Sequence, residues 1–214
     1  MAFKILFVDI DGVLNSSRGF AAKYQGVSGT LGNKRDMIEQ IPALLIKRIV
    51  EETGCLLVLS SSWREGHSIA EVSKIIALWT GVNLEFTGAT PYNGNPLGSR
   101  FRGGEISEYL RNMGTKPDKY CILDDFNQFF IRDKKGRDQF EIDQPFVQTD
   151  GNNGISYLDY ITIVEWFNSE SHDRLEVQKR ITRPPFDPYM TRERNKMLYN
   201  FLLDAEDEKT IQSE

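Results

Sequence analysis

Three apolar runs in this chain end in residues able to do chemistry. FKILFV (3–8) runs into Asp9-Ile10-Asp11-Gly12, CLLVL (55–59) into Ser60-Ser61-Ser62, and YCIL (120–123) into Asp124-Asp125. In an open parallel sheet, ligands bind beyond the carboxyl ends of the strands. Neighbouring strands would therefore bring all these carboxylates and hydroxyls to one crevice. At ~4 Å and an effective dielectric near 20, a like-charged pair costs roughly 4 kcal/mol. A divalent cation offsets that repulsion, and a set of oxygen-only ligands points to Mg²⁺. A calcium loop of the EF-hand type is excluded, because it needs Gly at its sixth position and an acid at its twelfth. Counted from Asp9, Gly12 is fourth and Phe20 is twelfth.

The elements that would carry these residues can be read from periodicity. Phe3–Val8 is a short apolar run, as expected of a strand buried on both faces. ALLIKRIVEETG reads as a helix with Pro42 in its first turn and Gly54 as its stop. Ile69, Val72, Ile75, Ile76 and Trp79 recur at helical spacing from about Ser68, with Gly81 following. Leu84–Thr87 is a candidate strand, and the Gly- and Pro-rich stretch 88–99 reads as a loop. A helix over Gly104–Met113, strands over Tyr120–Leu123 and Phe146–Thr149, and a helix over Tyr157–Phe167 complete the pattern. Strands alternating with helices predict an α/β fold with a parallel sheet flanked by helices.

The domain so defined spans 1–168, with 15–41 as a flap or small insertion. Residues 169–214 form a C-terminal extension, with an amphipathic helix expected at about 189–208. That helix would pack back on the domain or form a homodimer contact. A net charge of −5 supplies no global basic field for a nucleic-acid backbone, which favours a small substrate or the end of a strand. No run of ~20 apolar residues suggests a membrane span, and a cytoplasmic location is expected. Cys55 and Cys121 each head an apolar run and read as buried, reduced thiols. His67 and His172 have no metal-ligand partner spacing.

The order of these motifs resembles that of the haloacid dehalogenase-like (HAD) hydrolases. Asp9-Ile10-Asp11-Gly12-Val13-Leu14 after an apolar strand is similar to their first motif, and Ser60 to their second. Arg102 in RGGEI, about twenty positions before Asp124, is best placed for the basic third motif, with Arg100 and Lys116 as alternatives. Asp124-Asp125 is similar to the fourth. The resemblance covers roughly residues 3–168 and implies a HAD-like Rossmannoid sheet. It also implies an aspartyl-phosphate mechanism, with Asp9 as nucleophile and Asp11 as acid and base. Mg²⁺ would be held by Asp9, the Asp11 carbonyl and Asp125, with Asp124 further out; Ser60, Ser61 and Arg102 would hold phosphate oxygens.

The spellings LSSSWR, RGGEI and ILDD look like those of stand-alone phage and bacterial HAD phosphatase domains. Those are related to RNA-repair modules and to polynucleotide kinase-phosphatase. The implied substrate is a nucleotide 5′- or 3′-phosphate, or a nucleic-acid 3′ end. A regulatory module that keeps the fold without hydrolysis is the alternative from another class. Asn15, Trp63 and Arg64 are candidate substrate contacts, with core packing the competing reading for Trp63; Phe20, Lys23 and Tyr24 are further candidates in the flap. The intervals between motifs are too short for a large cap, so an open site with a small flap is expected.

Overall fold

The computed structural model describes residues 2–19, 38–92, 102–125 and 145–170. Five parallel strands, β1 (Lys4–Val8), β2 (Leu56–Leu59), β3 (Phe86–Ala89), β4 (Lys119–Asp124) and β5 (Phe146–Gln148), form one sheet in the order β3-β2-β1-β4-β5. The chain moves outward from β1 to β3 on one side and then returns to place β4 on the other. The boundary between β1 and β4 is thus the point where strand order reverses, the place where open α/β sheets form their ligand crevice.

Helices α1 (Gln40–Thr53), α2 (Ile69–Thr80), α3 (Arg102–Asn112) and α4 (Tyr157–Asn168) flank the sheet. Their ends follow from local chemistry. Gly54 and Gly81 adopt the left-handed conformation at φ 67° and 74°, and each donates its N–H back into the helix it terminates. Ser68 with Glu71, and Ser156 with Asp159, form reciprocal capping boxes that satisfy orphan N–H groups at the starts of α2 and α4. Helix α1 packs against both α2 and α4.

Period-2 alternation divides the strand residues between two buried faces. On one face Ile5, Phe7, Val58 and Ile122 form a core cluster with Ile106 of α3, against which Tyr109, Leu110 and Met113 also pack. Phe7 meets Tyr109 and Tyr120 edge-on, at ring-centroid distances of 5.7 and 6.0 Å. This face matters most for function, because its continuation past the strand ends carries the polar residues.

Strand β3 differs from its sequence expectation. It runs over 86–89 rather than 84–87, so Gly88 and Ala89 are strand residues and not loop. Gly88 pairs with Val58 beyond a register irregularity in β2, and any side chain at Gly88 would overlap the Tyr109 hydroxyl. Glycine is needed there for close packing, whereas in the sequence it reads as a breaker. Residues 20–37 of the expected flap and the expected helix at 189–208 lie outside the described residues. No helix among the described residues is long and apolar enough to cross a membrane.

Candidate active site

The ladder of the sheet continues one residue past its strands. Asp9 N donates to Leu123 O at 3.0 Å, Ser60 N to Val8 O at 2.8 Å and Thr90 N to Leu59 O at 3.0 Å. With Val8 paired to Leu59 and Leu123, and Leu59 to Ala89, these bonds align Thr90, Ser60, Asp9 and Asp124 in one row across the carboxyl edge. Asp9 shares the parity of Phe7, Ser60 that of Val58 and Asp124 that of Ile122. All three therefore emerge on the face covered by α3.

Helix α3 begins at that edge with Arg102. Its Nη1 lies 2.5 Å from Asp9 Oδ2 and also bonds Asp124 Oδ2, with all three side chains almost fully buried. Burial opposes the guanidinium charge, but Asp9 and then Asp124 outweigh it and push Arg102 further above its usual range. The second oxygen of Asp9 accepts from Ile10 N at 2.7 Å, so both carboxylate oxygens are oriented.

Carboxylate oxygens of Asp9, Asp124 and Asp125 lie within 4.8 Å of one another. Burial and the neighbouring Asp9 push Asp125 up to about 6, against the opposing pull of Arg102. Two glycines make room for it: a Cβ at Gly12, which has φ +72°, or at Gly151 would overlap the Asp125 carboxyl. Three carboxylates facing one guanidinium leave two net negative charges when all are ionised. Hard oxygen donors with that excess charge fit a divalent cation of the Mg²⁺ and Ca²⁺ class. Asp9, Asp124 and Asp125 are the side chains that could hold it.

Asp11 is positioned by the loop that follows β1. Leu14 N bonds Ile10 O at 2.9 Å, and Thr149 Oγ1 bonds Gly12 O at 2.8 Å, which ties the loop to the end of β5. Asn15, a candidate substrate contact by sequence, is 5% exposed and turned inward. Its Oδ1 accepts from Gly12 N and its Nδ2 donates to Asp11 Oδ1, both at 2.9 Å.

The loop after β2 distributes its residues differently from the sequence expectation. Ser60 is 1% exposed, and its hydroxyl has no hydrogen-bond partner among the described residues. Ser61 Oγ instead caps the short 3₁₀ turn Ser62–Glu65 by accepting from Trp63 N. Trp63, a candidate substrate contact by sequence with core packing as its competing reading, is 8% exposed and meets His67 edge-on. The Arg64 side chain is also buried, donating to Ser61 O at 2.5 Å and pairing with Glu105 of α3. Burial raises Glu105 and Arg64 pulls it back. Arg64 thus ties the Ser60 loop to the helix that carries Arg102. Lys116, an alternative to Arg102, is exposed at the far end of α3; Arg100 lies outside the described residues.

Thr90, Glu105, Thr149 and Gly151 are not marked out by the motif pattern of the sequence. Glu105 carried a weak signal as the acid of RGGEI one turn after Arg102. Thr90 carried none, because its strand read as loop.

The parallel sheet, its reversal point at β1/β4 and the acid-bearing strand ends are those expected of the HAD-like Rossmannoid class. Within that class, residues 5–159 match the family described as the HAD domain in Swiss Army Knife RNA repair proteins, and the chain belongs to that family. No curated protein and no solved structure matches the chain.

Proposed function

We propose that this chain is a Mg²⁺-dependent phosphomonoesterase that passes through an aspartyl phosphate on Asp9. The observation that carries this reading is the meeting of Asp9, Asp124 and Asp125 within 4.8 Å at the reversal point, with Asp11 two residues further on. A bound divalent cation supplies charge neutralisation that lets an anionic carboxylate approach an anionic phosphate. The remaining work falls to the chain's own groups. A carboxylate oxygen of Asp9 attacks phosphorus, forming a C–O–P bond as the ester oxygen departs with its electron pair. Asp11 gives that oxygen a proton, then takes one from the water that hydrolyses the acyl phosphate. Ser60 and Arg102 stabilise the phosphoryl oxygens as charge spreads over them.

The substrate is a nucleotide or a nucleic-acid terminal phosphate. The RNA-repair description of the family favours the strand end, and the resemblance to polynucleotide kinase-phosphatase points to its 3′-phosphate. The test compares phosphate release from p-nitrophenyl phosphate, a nucleotide panel and a 3′-phosphorylated RNA oligonucleotide, with Mg²⁺ or EDTA, for wild type and Asp9→Asn. Metal-dependent release that disappears in Asp9→Asn is expected, with the oligonucleotide rate falling steeply with salt. Normal turnover by Asp9→Asn sinks the mechanism. A preference for mononucleotides, insensitive to salt, sinks the strand-end assignment.

A further inference from the structure

The row that carries Asp9 and Ser60 continues to a residue the proposed chemistry has not used. Thr90 stands beside Ser60, one step past the paired residues Leu59 and Ala89. Gly88 lies against Tyr109 of α3, so strand alternation puts Thr90 on the same face as Ser60 and Asp9. Thr90 is 3% exposed, and its Oγ1, like the Ser60 hydroxyl, has no hydrogen-bond partner among the described residues.

The other buried threonines among the described residues behave differently. Thr53 donates to Ile49 O at 2.6 Å, Thr80 to Ile76 O at 2.7 Å and Thr149 to Gly12 O at 2.8 Å. A threonine kept for structure satisfies its hydroxyl locally, whereas a buried hydroxyl left open destabilises the fold and calls for another explanation. The two residues follow adjacent strands, whose backbones lie about 4.8 Å apart. The row is also divided in charge. Within the row the carboxylates stand at the ends of β1 and β4 and neutral hydroxyls at the ends of β2 and β3, where the paired Arg64 and Glu105 are tied to the Ser61 carbonyl. A cation suits the first half, and an oxyanion suits unused O–H donors in the second.

We propose that Thr90 is a phosphate-binding residue, donating beside Ser60 to oxygens of the substrate's phosphate so that the seat spans two strands. This deepens the phosphoester reading and rests on it. Binding of inorganic phosphate to the full chain with Mg²⁺, by titration calorimetry, tests it without turnover. The variants are Thr90→Val and Thr90→Ala, which remove the hydroxyl, and Thr90→Ser, which keeps it. Phosphate Kd is expected to rise about tenfold or more in the first two and to stay at the wild-type value in Thr90→Ser. The unfolding midpoint of Thr90→Val should not fall, since a methyl replaces an unpartnered hydroxyl. Unchanged phosphate affinity in Thr90→Val and Thr90→Ala overturns the proposal and leaves the phosphatase reading standing. A wild-type protein that binds no phosphate and releases none from any ester overturns both.

Discussion

Arg102 Nη1 lies 2.5 Å from Asp9 Oδ2, so the proposed nucleophile is held in a buried ion pair that also includes Asp124. Removing one member of a buried pair exposes the full cost of the charges left behind. Arg102→Met is therefore expected to destabilise the metal-free protein by about 3 kcal/mol. Without the guanidinium, the three clustered carboxylates repel one another more strongly, and a divalent cation relieves more. The rise in unfolding midpoint on adding Mg²⁺ should thus be larger in Arg102→Met than in wild type. An equal or smaller rise would mean that Arg102 and the cation do not share these carboxylates.

Gly12 and Gly54 give a matched pair for testing the seat of Asp125. Both are left-handed, at φ +72° and +67°, so alanine at either carries similar backbone strain, about 1 kcal/mol. Only at Gly12 would the new Cβ overlap the Asp125 carboxyl; at Gly54 nothing lies within 4 Å. Gly12→Ala should lose the Mg²⁺-induced rise in unfolding midpoint, whereas Gly54→Ala should lower the midpoint and keep the rise. The comparison separates strain from damage to the cation site.

The two thiols should be silent in the folded protein. Cys55 and Cys121 are 1% and 2% exposed, and burial pushes both thiols up from their ordinary range. Alkylation by iodoacetamide at pH 8.5 is expected to modify neither thiol until denaturant unfolds the chain, when both react. Rapid labelling of the native protein, read by mass spectrometry, would place at least one of them outside the core.

Legibility in the sequence followed the range of the interactions involved. Asp9, Ser60 and Asp124 stood out because each ends a strand buried on both faces, and such strands read as apolar runs cut off by polar residues. Gly54 and Gly81 were readable as helix stops, because the left-handed conformation is a local requirement. Strand β3 was misplaced by two residues because Gly88 answers to Tyr109, 21 positions away, rather than to its neighbours. Thr90 was hidden with it. Arg64 reads as a substrate contact by its charge; its pairing with Glu105, 41 residues on, and its bond to Ser61 O turn it inward instead. Asn15 looked like a ligand contact because the two-sided hydrogen bonding that turns it inward depends on how the loop after β1 closes.

That inward turn of Asn15 leads to a prediction that isolates the proton-transfer step. The amide holds Asp11 Oδ1 at 2.9 Å while anchored to Gly12 N, so it helps to orient the proposed acid. Asn15→Ala removes one hydrogen bond that orients the carboxyl while keeping the carboxyl itself. General acid–base catalysis contributes roughly 10²–10⁴-fold, and misorientation forfeits part of that. On an alkyl phosphate, whose leaving oxygen needs a proton, kcat is expected to fall about thirtyfold. On p-nitrophenyl phosphate the departing phenolate is stable without a proton, so the fall should be only a few-fold, about threefold. Phosphate affinity should be preserved, because Ser60 and Arg102 are untouched. Equal losses on both esters would show that Asn15 supports the loop as a whole and not the direction of Asp11.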